Sequence, residues 1–173
     1  QLYPYISSAK STTNNGIYGI GKSVSITINF NETVTSTAAL QIPVSGLGST
    51  IELATISPAA DNQIGTYTIV EDDNVALLDV TSAATTSGTI SDGAGNLLQT
   101  VGLTVPANSN ITDDDKEIVI DGVRPGAPLS VTLAPYGGSA DLTTASDYAA
   151  FFNSTNTHLK VPVQFTSLAT VPY

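Results

Sequence analysis

The chain has 173 residues, room for one large or two small domains, and sets 15 acidic residues against 5 basic ones for a formal charge of −10. That balance argues against nucleic acid as a partner, because binding phosphate requires a basic face. Cysteine, methionine and tryptophan are absent, which removes disulfide, thiolate and zinc–thiolate chemistry.

Charged residues are only 12 % of the chain and hydrophobic residues 41 %, the balance of a β-rich, uncharged-polar protein and not of a disordered polyanion. No apolar stretch approaches the roughly 20 residues that span a bilayer, so membrane insertion is not expected. Gln1 in place of Met marks a processed or excised chain, and the expected location is extracellular or at the cell surface.

Tyr3, Tyr5 and Ile6 around Pro4 suit a first edge strand over residues 2–6, where a missing amide donor does little harm. Residues 11–16, STTNNG, form a turn cluster. Val24, Ile26, Ile28 and Phe30 then alternate with Ser25, Thr27 and Asn29, the period of a strand with one buried face, and Asn31-Glu32 is expected to end it. Weaker strands are expected around Leu40 and Ile42 and around Ile51 and Leu53, followed by a turn over 58–65, PAADNQIG. Tyr67 and Ile69 predict a further strand, closed by the acidic loop Glu71-Asp72-Asp73-Asn74. Residues 77–90 supply the next strand material, 91–96 (SDGAGN) a tight turn, and 97–105 one more strand.

Asp113, Asp114 and Asp115 lead into Glu117-Ile118-Val119-Ile120, a short β-branched run that reads as a strand. Asp121, Gly122, Arg124, Pro125, Gly126 and Pro128 follow directly, and such residues take the chain out of a sheet. A boundary is therefore placed here. Residues 1–122 carry seven or eight short strands at about ten-residue spacing, the signature of a β-sandwich. In residues 123–173, Leu129, Val131 and Leu133 alternate, as do Leu159, Val161, Val163 and Phe165, while 140–152 is ambiguous between short helix and loop. Two or three strands are marginal alone. This segment is expected to be a partial second β unit or a strand-donating tail, packed on the first domain or completed by another chain.

Residues 16–34 (GIYGIGKSVSITINFNETV), 69–82 (IVEDDNVALLDVTS), 88–98 (GTISDGAGNLL) and 116–128 (KEIVIDGVRPGAP) resemble, in order and spacing, the Ig-like repeats of very large bacterial and archaeal surface and adhesin proteins. Residues 151–163 (FFNSTNTHLKVPV) resemble the early part of a neighbouring repeat. The resemblance implies an all-β, Ig-like Greek-key β-sandwich with a short strand-containing C-terminal extension, an extracellular setting, a mechanical or adhesive role and bound calcium. Lys22 departs from the acidic residue common at that position in the family, which puts a calcium site using it in doubt.

Calcium takes six to eight oxygens from flexible loops, and the acidic residues fall at predicted strand ends and turns. The candidate ligands are Asp113, Asp114, Asp115, Asp121, Asp73, Asp79, Asp92 and Glu32. Against this stands the common use of Asp and Asn to cap backbone amides in turns. No serine elbow, Walker loop or HExxH is present, and His158 is a lone histidine beside Lys160, so no enzymatic activity is expected. Asn31, Asn110 and Asn153 each open an N-glycosylation triplet. The first functional reading is a structural subunit or repeat of an extracellular filament, tube or surface fibre, stiffened by calcium and joined to copies of itself by strand addition. An adhesin spacer or ligand-binding repeat is the alternative. A calcium-dependent carbohydrate-binding module comes third, served by Tyr3, Tyr5, Tyr18, Tyr136 and Tyr148.

Overall fold

The computed structural model describes residues 3–131, 134–136, 158–160 and 163–165, with side chains over 3–127. The chain divides into two units, with the break between Val123 and Arg124. Among the described residues every regular element is a strand or a short 3-10 turn.

The first unit holds β1 (Ile6–Lys10), β2 (Gly16–Gly19), β3 (Ser23–Ser36), β4 (Leu40–Ile42), β5 (Ile51–Leu53), β6 (Ala60–Thr68), β7 (Asn74–Val75), β8 (Thr85–Thr86), β9 (Ile90–Asp92) and β10 (Ile118–Asp121). The larger sheet runs β1-β3-β6-β5-β4-β8, with β9 also on β3, and all its pairings are antiparallel. The smaller sheet is β2-β10-β7, parallel between β10 and β2 and antiparallel between β10 and β7. Both sheets line one core. Val24, Ile26 and Ile28 of β3, Ile51 and Leu53 of β5, Val75 of β7 and Ile118 and Ile120 of β10 are all buried in it. Two sheets over a shared apolar layer is the arrangement of a β-sandwich.

The period-two pattern of β3 is realised, with Val24, Ile26, Ile28 and Phe30 inward. The strand does not end at Asn31-Glu32. Its pairing with β6 shifts register between Asn29 and Val34, and beyond the irregularity Val34, Thr35 and Ser36 pair with β9. A bulge bends a strand without ending it, and the buried Val34 draws β3 onward into the core.

Four other expectations are corrected. The first strand starts at Ile6, because Tyr3, Pro4 and Tyr5 precede the ladder. Residues 60–65 are strand: β6 begins at Ala60, its exposed Asn62 pairs with Asn29 and its half-buried Gln63 pairs with Ile28. Residues 77–90 contribute only β8 and the start of β9. Residues 97–105 form a 3-10 turn over Thr100–Leu103, tied to the sheet by a bridge from Leu97 to Ser91. There Gly102 packs against Tyr5 so closely that a Cβ would lie 3.1 Å from Tyr5 Cβ.

The second unit holds β11 (Pro128–Val131), β12 (Ala134–Tyr136), β13 (His158–Lys160) and β14 (Val163–Phe165). Here β11 pairs with β14 and β12 with β13, both antiparallel. Described parts of the alternating segments, 129–131 and 163–165, thus pair with each other. The ambiguous stretch 140–152 lies outside the described residues.

Candidate functional site

The acidic loops that carry the calcium expectation are held by elements of both sheets. The most buried of their carboxylates is Asp73, with 1 % of its surface exposed. The sequence Glu71-Asp72-Asp73-Asn74 must reverse the chain between β6 and β7, and Asp72 does so with φ at 71°. Asp73 then turns inward. It accepts hydrogen bonds from the Gly48 N–H at 2.7 Å, the Val70 N–H at 2.8 Å and the Tyr67 hydroxyl at 3.1 Å. Its backbone completes the knot, since the Gly122 N–H donates to the Asp73 carbonyl at 2.7 Å and the Asp72 N–H to the Gly122 carbonyl at 3.1 Å. Three loops, around residues 46–48, 70–74 and 122, are closed by one side chain and its peptide. Burial, and then the hydrogen bond to Asp73, push the Tyr67 phenol above its ordinary value.

Most of the other candidates bind groups of their own turn or of a neighbouring loop. Asp79 accepts from both the backbone N–H and the hydroxyl of Thr112. Asp113 accepts from the Asn110 N–H at 2.9 Å, inside the 3-10 turn Thr112–Asp114 that the three-aspartate run adopts. Asp114 pairs with Lys10 at 2.9 Å with both side chains well exposed, a geometry that contributes little to stability. Asp115 takes the left-handed conformation that ends the turn, with φ at 55°. Asp121 accepts from the Val123 N–H at 3.2 Å, and Glu32 from the Asn31 side-chain amide at 3.3 Å. Among the described residues no three His, Asp or Glu side chains come together as a cation-binding group.

Asp92 closes the DGAGN turn. Its carboxylate accepts from the N–H groups of Ala94 at 2.9 Å and Asn96 at 2.8 Å, and from the Asn96 side-chain amide at 2.6 Å. These bonds, the Asn96 amide first, hold its pKa below the usual aspartate range. A carboxyl lowered in the folded state contributes stability that is fully present above the unfolded value of about 3.9. The contribution is lost as pH falls through the native value. Asp92→Asn is therefore expected to flatten the acid limb of stability. Urea midpoints compared between about pH 7 and about pH 3 should fall less in the variant than in the parent.

Two amide clamps escaped the sequence reading. Asn15 donates to the Asp115 carbonyl and accepts from the Glu117 N–H, each at 3.2 Å, which extends the parallel β2–β10 pairing by a side chain. Asn110 does the same for Val80, donating to its carbonyl at 2.9 Å and accepting from its N–H at 3.0 Å. Their only sequence signal is Asn beside a strand end, shared with every other turn Asn here. Also unread was an apolar groove of about 550 Å³ lined by Tyr3, Tyr5, Val101, Thr104 and Val105 among others. Of the tyrosines proposed for sugar stacking, Tyr3 and Tyr5 meet there, while the Tyr18 hydroxyl is bonded to the Asn14 carbonyl. Tyr136 lies in β12 and Tyr148 outside the described residues. Comparison of the chain with protein families, with curated proteins and with solved structures finds no match.

Proposed function

We propose that this chain is a structural module of an extracellular assembly, a subunit or repeat of a surface fibre, that works by holding a rigid β body. The observation that supports this reading is how the first unit uses its polar side chains. Asp73, Asp79, Asp92, Asp113, Asn15 and Asn110 each bind backbone groups of loops distant from one another or of their own turn. Side chains committed in this way stiffen the ends of the sandwich. The resemblance to Ig-like repeats of surface proteins points the same way. Strand addition between copies is the joining mode, because among the described residues β11–β14 and β12–β13 are two-stranded ladders, and a short ladder gains by taking a further strand from a neighbour. Calcium held between copies, at Asp113, Asp114 and Asp115 ahead of β10 or at Asp121 where β10 ends, would damp the repulsion among their carboxylates.

Light scattering of the native protein in millimolar calcium, and again after chelation, tests this. Large particles that shrink on chelation are the expected result. Large particles indifferent to chelation would keep strand addition and discard calcium as its glue. A 17.7 kDa monomer under both conditions would overturn assembly through this chain alone.

A ligand-binding repeat of an adhesin is the second reading, favoured by the groove at Tyr3 and Tyr5, which are 52 % and 41 % exposed. Exposed aromatic rings beside hydroxyl and amide groups suit a neutral sugar ring. A glycan screen with Tyr5→Ala as control separates the two readings.

A further inference from the structure

Two of the three N-glycosylation triplets fall among the described residues, Asn31-Glu32-Thr33 and Asn110-Ile111-Thr112. Both asparagines are partly buried, so exposure does not separate them. Their hydrogen bonds do. In the modification, Nδ2 forms a bond to C1 of an oligosaccharide carried on a lipid diphosphate. The C1–O bond to the diphosphate breaks, the lipid diphosphate leaves, and Nδ2 gives up one of its two protons. The product is a secondary amide, which is held trans. The sugar's C1 therefore occupies the Nδ2 position on the same side as Oδ1, and the surviving N–H points away from Oδ1.

Asn110 cannot accept that substitution and remain native. It grips one residue, Val80, with both ends of its amide, Oδ1 on the N–H and Nδ2 on the carbonyl. Such a ring uses the N–H on the Oδ1 side, the position C1 would take. The hydroxyl of its triplet is committed too, because Thr112 donates it to the Asp79 carboxylate. Asn31 is arranged differently. Its Oδ1 accepts a single bond from the Tyr5 N–H at 2.7 Å, and Nδ2 reaches only the side chain of its neighbour Glu32 at 3.3 Å, near the limit of a hydrogen bond. A trans glycosyl amide retains the first bond and loses only the second. Asn31, Glu32 and Thr33 also lie in the register shift between Asn29 and Val34, outside the β6 ladder, and Thr33 is exposed.

We propose that Asn31 is an N-glycosylation site of this protein and that Asn110, within the same triplet motif, is a structural amide closed to the modification. The inference rests on the extracellular reading for its biological setting, though not for its chemistry. The test is secretion of the full chain, behind a supplied leader, from a eukaryotic host that glycosylates, followed by glycopeptide mass spectrometry of the folded secreted fraction. Glycan is expected on the Asn31 peptide and none on the Asn110 peptide. Asn31→Gln and Thr33→Ala should each abolish the Asn31 glycan, and Asn110→Gln should leave it unchanged. A bare Asn31, or glycan on Asn110 in secreted protein with native circular dichroism, overturns the proposal. Because the leader imposes secretion, these outcomes stand apart from the protein's native location. Fractionation of source cells reads that location separately, and a cytoplasmic result there would sink the setting while leaving the acceptor assignment intact.

Discussion

Asp73→Ala is expected to cost the first unit about 2–4 kcal/mol, because the buried Tyr67 hydroxyl loses its acceptor at about 1–3 kcal/mol while the part-buried N–H groups of Gly48 and Val70 exchange theirs for water at about 0.5–1.5 kcal/mol each. All three donors point at one carboxylate with 1 % exposure. Asp73→Asn, which keeps one acceptor oxygen and brings two donors into a cluster of donors, should cost about half as much. Guanidinium midpoints at constant slope measure both. A loss below about 1 kcal/mol for the alanine variant would show that the loops close without this side chain. A second readout is specific to the pairing. Burial comes first in raising the Tyr67 phenol and the Asp73 hydrogen bond second. A difference titration of phenolate absorbance between parent and Asp73→Asn should therefore place Tyr67 lower in the variant. An unmoved phenol would mean that Asp73 acts only as filler.

The expected elements that appear in the structure are those written in the period of their own side chains. Val24 to Phe30 alternate and are buried in alternation, and Ile118-Val119-Ile120 forms β10 where its β-branched run stands. What failed was decided by distant partners. Residues 60–65 carry Asp, Asn, Gln and Gly in the manner of a turn, yet they pair with β3 because one face of β6 is solvated and tolerates polar side chains. Residues 97–105 alternate as a strand should, yet the only ladder contact is Leu97 to Ser91, and Gly102 lies against Tyr5. Tertiary packing overrode a local β preference there. The carboxylates follow the same division. Their position at strand ends was legible from composition; which one is buried was not. The three-aspartate run drew attention by density, whereas Asp73 takes the buried place because Asp72 adopts a left-handed turn that points the next side chain inward.

Gly46→Ala should be the most damaging single-methyl substitution in this loop cluster, and Gly21→Ala isolates the reason. Both glycines have positive φ, 91° at Gly46 and 78° at Gly21, so both alanines carry a left-handed penalty of about 1–2 kcal/mol. At Gly21 a Cβ would meet nothing within 4 Å, and the penalty is the whole effect. At Gly46 the Cβ would fall on the Asn74 carbonyl oxygen and lie 3.3 Å from Val75 Cγ2. A backbone oxygen cannot rotate away as a side chain can. Relief requires moving Asn74 and Val75, and these two residues are β7, paired to Asp121 and Ile120 of β10. The Asn74 N–H also donates to the Gly46 carbonyl at 2.8 Å, so the strand and the loop must part together. The expected loss for Gly46→Ala is about 3 kcal/mol or more, against about 1 kcal/mol for Gly21→Ala. Amide exchange gives the local test: protection at Asn74 and Ile120 should collapse in Gly46→Ala and persist in Gly21→Ala. Equal losses in the two variants would mean that β7 yields freely, and that the smaller sheet is held by the β2–β10 pairing alone.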